Sequence, residues 1–391
     1  SSNCEPIPAS VATHVARMQN EGWAALYAKD SSGDSYGCGK ALGRGCFAEK
    51  PRAKSTLYGG AWEADGGDAV LRVLRQNDYS SNYDTTVSPN GRFVGHGRKK
   101  GAAIVDLERD LVLDVGALYQ AAFFPDGSGF SFQGGAKNFC AMTELTGNPT
   151  LLTMSEPSCV KLGTVGLGNH LARQVPSGDY LSVNGQFESD NGGLTPTLRD
   201  PEASFSAAAS VNIVPIVFNG SVFSARNAVA LDAPNEGDFT ISRSGELLLS
   251  RVAGEEGKQA GYRLRALVGS PPTEAPILTT YCANGGTADF SYDERWVTFH
   301  HYVTAADAVD LGFSGSDDPD FKPYLEQGAA NIYLLDITTG ETRRVTRMQP
   351  SQYALYPQFR ADGWLYFMVR TVGSTTEYLV ASDAALAAQS N

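Results

Sequence analysis

Phe124-Pro125-Asp126-Gly127-Ser128-Gly129-Phe130 decides how this chain is read. An apolar residue ends one strand, Pro-Asp starts a turn, Gly127 takes the positive φ, and an aromatic residue resumes the next strand. The pattern recurs at Val87-Ser88-Pro89-Asn90-Gly91-Arg92-Phe93, Val175-Pro176-Ser177-Gly178-Asp179-Tyr180, Ile241-Ser242-Arg243-Ser244-Gly245-Glu246-Leu247, Phe290-Ser291-Tyr292-Asp293-Glu294-Arg295-Trp296 and Phe359-Arg360-Ala361-Asp362-Gly363-Trp364-Leu365. The copy at residue 290 places Glu294 where the others have glycine, and is the weakest. A plain β-sandwich would not repeat one turn motif in this way.

A second strand pair with a polar turn follows several copies. It is clearest from Asn331 to Thr346, with weaker versions at Ala103-Ile104-Val105-Asp106 and Tyr378-Leu379-Val380. Two hairpins per unit, at a period of about 35 to 70 residues, is the arithmetic of a four-stranded propeller blade. The expected fold is all-β, a β-propeller of about six four-stranded blades. Ala69-Val70-Leu71-Arg72-Val73-Leu74-Arg75 precedes the first turn and alternates as a strand does. It is predicted to be the outer strand of the last blade, because an unpaired edge is costly.

Residues 61–391 are thus assigned to the propeller and residues 1–60 to a disulfide-pinned N-terminal extension packed on it. In that extension Val11 to Met18 has helical spacing after a cap at Ser10. His14 and Met18 stand one helical turn apart, as copper or haem ligands would, but C-x-x-C-H is missing and a surface helix is the simpler reading.

Composition bounds the function. The 42 glycines and 19 prolines require many turns, and 42% hydrophobic against 19% charged residues is globular. A net charge of −12 argues against nucleic acid, whose binding rests on lysines and arginines. The only compact basic run, Arg98-Lys99-Lys100, reads as a solvated turn. No run of about 18 apolar residues predicts membrane insertion. A start at Ser1, without methionine or an apolar leader, suits a mature exported chain. None of the six cysteines forms C-x-x-C, which speaks against zinc-ribbon and thioredoxin-type sites. Short Gly- or Pro-containing loops separate Cys38 from Cys46 and Cys140 from Cys159, leaving Cys4 for Cys282. Those pairings predict an oxidising compartment: secreted, periplasmic or cell-surface.

The turn, followed by Ile332-Tyr333-Leu334-Leu335-Asp336-Ile337-Thr338-Thr339-Gly340-Glu341-Thr342-Arg343-Arg344-Val345-Thr346, resembles the WD40-like repeat of TolB-like six-bladed propellers. The likeness spans roughly residues 84 to 383 and is degenerate in the middle blades. It implies binding and scaffolding roles in the periplasm or outside the cell, often with a ligand at the mouth of the central channel. TolB's separate N-terminal α/β domain is not found here, which puts a Tol-Pal role in doubt.

No G-x-S-x-G elbow or Walker A sequence occurs, and Gly166-Leu167-Gly168 lacks the third glycine of a dinucleotide site. Of the histidines, His96 follows the first turn, and His300 and His301 are strand neighbours of which at most one points inward. These three are candidate ligand-binding residues. A few TolB-like propellers are metal-dependent polysaccharide lyases, so convergence of His96 with His300 or His301 on one metal would point to a lyase or hydrolase. The insert between Tyr302 and Asn331 carries Asp307, Asp310, Asp317, Asp318 and Asp320 around glycines. Asp310, Asp317, Asp318 and Asp320 are candidate Ca²⁺ ligands, although EF-hand spacing is missing and a solvated acidic loop is the plainer reading. A polar loop over 186–205 is placed on the same rim, and Asn219-Gly220-Ser221 matches a glycosylation sequon. The favoured function is an exported binding or scaffold propeller that meets a protein, peptide or glycan on its loop-bearing face. The alternatives are the lyase or hydrolase and a subunit of a larger extracellular complex.

Overall fold

The computed structural model describes residues 5–22, 63–64, 71–78 and 85–389, with interruptions in the last span, the longest at 144–157, 162–170 and 190–204. Cys4, Cys38, Cys46, His170, the Asn219 sequon, Gly166 to Gly168 and most of 186–205 lie outside the described residues, as do the side chains of Cys140 and Cys159.

Alternating apolar residues between the turns make strands that follow one another as antiparallel meanders. Thr85–Val87, Phe93–Arg98, Gly101–Asp106 and Leu111–Asp114 form the first. Ala122–Phe123, Gly129–Gly135, Asn138–Thr143 and Ser158–Lys161 form the next. Leu171–Arg173, Tyr180–Asn184, Ala208–Phe218 and Phe223–Ala225 follow. That sheet continues, through Ala208–Phe218, into Val229–Ile241, Leu247–Ala253, Gln259–Ala266 and Ile277–Tyr281. Gly286–Phe290, Trp296–Tyr302, Ala330–Asp336 and Thr342–Arg344 come next. Gln352–Phe359, Leu365–Thr371 and Thr376–Ser382 end the series, and Leu71–Asp78 pairs antiparallel with Thr376–Ser382.

First strands lie against one another: Val229–Ile241 beside Gly286–Phe290, then Gln352–Phe359, Thr85–Val87 and Ala122–Phe123. Four-stranded antiparallel sheets whose first strands converge are the β-propeller arrangement. Period-two alternation divides the core between neighbouring sheets. On Trp296–Tyr302, Val297 and Phe299 pack with Leu247, Leu249 and Leu264 of the preceding sheet. Trp296 faces the other way, into the cluster of Phe359, Leu365 and Phe367.

The repeated turn is built on a left-handed residue, with a serine bond in three of its copies. Gly91, Gly127, Gly178, Gly245 and Gly363 all have φ between +71° and +94°. Ser88, Ser242 and Ser291 Oγ accept from the N–H groups of Phe93, Leu247 and Trp296 at 2.9 to 3.0 Å. Glu294 adopts φ +59° and donates its N–H to Ser291 O at 3.0 Å, as Gly245 does to Ser242 O at 2.9 Å. The weakest copy in sequence is therefore the same turn, held in a conformation that costs a non-glycine residue about 1 kcal/mol.

The helix Ala9–Arg17 starts at Pro8, with no side-chain cap; Ser10 lies inside its first turn, which corrects the expected cap. Proline, its φ fixed at −71°, takes the boundary position instead. Val11 and Val15 pack with Leu247, Leu249 and Tyr281, while Met18 enters the cluster of Tyr292, Trp296 and Phe359.

Candidate functional site

The helix sits on the turns. His14 Nε2 lies 2.6 Å from Glu294 Oε2 and its Nδ1 3.4 Å from Glu246 Oε2, which Arg17 also binds. Burial alone would push His14 down, but hydrogen bonds and charge from Glu246 and Glu294 outweigh it and raise its pKa from 6.5 to about 9. Met18 is buried apart from His14's polar partners, so the two do not form a joint ligand pair. Both glutamates depart from the repeat. In two other copies the position of Glu246 is an arginine that pairs with the aspartate ending the third strand: Arg92 with Asp106 at 2.7 Å and Arg295 with Asp336 at 2.8 Å. Glu294 replaces the turn glycine, and its Oε1 accepts from Ser244 N–H at 2.7 Å.

The first strands are also interrupted within their length, ahead of the turns. Four residues before the turn-opening positions Ser242, Ser291 and Arg360 stand Asp238, Thr287 and Tyr356, with φ of 53°, 49° and 57°. Each falls at a break in strand register. Bulges of this kind re-aim side chains, and strained residues of this kind gather at functional sites. Thr287 N–H donates to Asp238 Oδ2 at 3.4 Å, and Tyr356 N–H donates to His300 Nδ1 at 3.3 Å.

His300 is fully buried, with its ring edge-on to Tyr302 and to Tyr356, both at 5.5 Å. Burial, together with the charges of Arg251, His301 and Arg370, lowers its pKa to about 3, so the imidazole is neutral. Because Nδ1 accepts from Tyr356, the single ring proton resides on Nε2. That buried N–H has no hydrogen-bond partner, nor do the hydroxyl of Tyr302 and Nε2 of Gln358. A Cβ on Gly286, which pairs with His300 across the sheet, would lie 3.1 Å from His300 Nε2. Burial holds the Tyr302 phenol far above its usual range, so it keeps its proton. Arg370 lies over the Tyr356 ring at 5.2 Å and donates to Glu377 at 2.7 Å. Burial pushes Glu377 upward, against the pull of Arg370.

The structure puts His300 and His301 on opposite faces of their strand. His301 has its Nδ1 2.8 Å from Asn284 O and its Nε2 3.0 Å from Asp307 Oδ2. Asp307 also accepts from Thr304, closing the turn Ala305–Asp307. His96 is buried in the first meander, registered between Thr85 and Ala103. Among the described residues no group of three or more His, Cys, Asp or Glu converges on a metal position.

In the insert, Asp318 Oδ2 accepts from Ser314 N–H at 3.0 Å and Oγ at 2.8 Å, and its Oδ1 accepts from Asp320 N–H at 3.0 Å. These bonds hold the Asp318 carboxyl below the usual carboxylate range. Asp317 and Asp320 flank that turn, and Asp310 contributes its carbonyl to Arg344 at 3.1 Å. Phe313, Phe321 and Tyr324 pack together as the insert's own small core.

Sequence reading singled out His300 but missed Tyr302, Tyr356, Arg251, Arg370 and Gly286. The available signals were Gly285-Gly286 ahead of a strand, Tyr356-Pro357 inside one, and the acidic residue at Glu246 where other copies carry arginine.

No family model matches the chain, and no curated protein matches it. Solved structures similar to it include the Cps50 (Swd1) β-propeller domain of Myceliophteria thermophila, at 10% identity and a TM-score of 0.43, covering 80% of this chain and 99% of that one. An oligogalacturonate lyase in complex with manganese is 10% identical with a TM-score of 0.43, covering 82% and 94%. The β-propeller domain of the trilobed protease from Pyrococcus furiosus is 11% identical with a TM-score of 0.39, covering 78% and 82%. Likenesses this distant decide nothing about ligand or reaction, and the propeller assignment rests on the strands themselves.

Proposed function

We propose that this chain is an exported binding propeller of six blades, closed by Leu71–Asp78 in the last, which meets its ligand at the end of the strands that carries the bulges. The observation behind this reading is the pair of buried groups without hydrogen-bond partners, His300 Nε2 and Tyr302 Oη, whose rings meet edge-on at 5.5 Å. Leaving one such group unsatisfied costs about 1–3 kcal/mol, a cost that a bound acceptor removes. His300 is poorly suited to metal or base chemistry, because Nε2 carries the ring proton and Tyr356 N–H occupies Nδ1. The insert of residues 303–329 joins a second strand to a third, away from the turn that opens the hairpin. A peptide or glycan presenting an acceptor group suits such a rim.

The export reading draws on two features of the backbone. Cys140 and Cys159 stand directly opposite one another on paired strands. Glu5, next to Cys4, donates its N–H to Thr280 O at 3.3 Å, two residues from Cys282. Mass spectrometry of unreduced peptides tests both pairings. The binding reading is tested by a ligand-observed magnetic-resonance screen of small peptides and saccharides. Hits lost in both His300→Phe and Tyr302→Phe support it; hits indifferent to both variants refute it.

A further inference from the structure

We propose that the N-terminal helix Ala9–Arg17 is a proton-controlled strap, held across two neighbouring turns while the His14 imidazole carries both its protons and let go when it loses one.

Little else holds the helix. Nine residues, with no capping side chain and no acidic residue in the first turn, are too few for a helix to persist alone, so its order depends on docking. Val11 and Val15 enter one apolar cluster and Met18 the next. The polar part of the contact centres on Glu294, whose carboxylate is fully buried. It accepts from Ser244 N–H at 2.7 Å and faces His14 Nε2 at 2.6 Å. A buried charge needs a countercharge, and the other cations of the two turns are engaged elsewhere: Arg243 with Asp289 and Arg295 with Asp336, each at 2.8 Å. On the helix itself, Arg17 binds Glu246 and lies 3.2 Å from His14 Nδ1. Glu246 also stands 3.4 Å from Nδ1, and Asp293, which accepts from Gln19 at 3.2 Å, adds another acid to the Glu294 turn. The His14 proton is therefore the countercharge of Glu294. Without it a carboxylate stays enclosed among acids, and undocking the helix removes one wall of the enclosure. Upstream, Glu5 donates to Thr280 O and accepts from Thr279 Oγ1, bonds that do not titrate and keep the strap tethered to the strand Ile277–Tyr281. The His14 pKa, about 9 docked against 6.5 for the ordinary group, sets the window. Docking is at full strength below pH 6.5 and weakens as pH rises to about 9.

Hydrogen exchange on the full chain tests this, read as protection after correction for the intrinsic rate at each pH. Between pH 6.5 and 9 the amides of residues 13–18 are expected to lose roughly 100-fold in protection, while those of Leu247–Ala253 keep theirs. His14→Gln should make the helix's protection independent of pH, and Glu294→Gln, which removes the buried charge but keeps the shape of the side chain, should shrink the loss. A native helix whose protection does not change across this range would overturn the proposal, as would a loss in His14→Gln equal to the native one. A loss shared equally by the helix and Leu247–Ala253 would overturn it too, because the helix would then open only with the whole fold.

Discussion

The two ends of these strands are built from the same repeat and end in opposite states. At the turn end the departures from the repeat, Glu246 and Glu294, are consumed by the chain itself: His14, Arg17 and Ser244 N–H take up their carboxylates. Away from the turns, on Trp296–Tyr302, His300 Nε2 and the Tyr302 hydroxyl are buried without hydrogen-bond partners. Breaking a pattern to seat the protein's own helix leaves every charge matched; breaking it for something outside leaves a group waiting.

The contrast is most severely strained by removing the helix. Deleting residues 1–22 uncovers the apolar surface under Val11, Val15 and Met18, each worth about 1.5–3 kcal/mol. Denaturant titration should show a loss of about 5 kcal/mol. A smaller cut at the same end is Glu294→Ala, which strands His14 and Ser244 N–H, with an expected loss of about 3 kcal/mol. Glu294→Gly removes the same carboxylate but relieves the left-handed backbone, and should be about 1 kcal/mol less damaging than Glu294→Ala.

The pH dependence of stability follows from His14. Its pKa is about 9 folded against 6.5 for the ordinary group. The imidazolium therefore stabilises fully below pH 6.5, and that contribution, about 3 kcal/mol, is lost as pH rises from there to about 9. Urea titrations across this range should show the decline in the native chain and a flat profile in His14→Gln. His300, in contrast, stays neutral throughout and should contribute no slope there.

Gly286→Ala should cost about 1–3 kcal/mol, because its Cβ would stand 3.1 Å from His300 Nε2 and the buried imidazole has to give way. The smallest effect is reserved for chelation. Because the Asp318 oxygens are engaged by Ser314 and Asp320, EDTA is expected to leave the melting temperature unchanged. A drop of several degrees would make the insert a Ca²⁺ site.

What the sequence reveals here tracks how local the physics is. The turns were legible because the residues that make each one lie within seven positions of one another. The split of His300 and His301 to opposite faces was legible too, since a strand alternates by residue. Glu294 read as a blemish because its partners, His14 and Ser244, lie 280 and 50 residues away. The bulges were not legible: Asp238, Thr287 and Tyr356 carry no glycine to announce a positive φ, and their conformation is imposed by neighbouring sheets. The acidic insert offered candidate Ca²⁺ ligands beside the plainer reading of a solvated loop, and its apolar packing of Phe313, Phe321 and Tyr324 went unread because those residues are scattered through it.

The pairing of Leu71–Asp78 with Thr376–Ser382 has a mechanical side. Leu71 lies opposite Ser382 and Asp78 opposite Thr376. Tension applied between residues 71 and 382 would load the ladder from one end, so that its rungs part in sequence rather than bearing the force together in shear. Pulled there, the sheet opens like a zip, at low force and from the same seam on every extension.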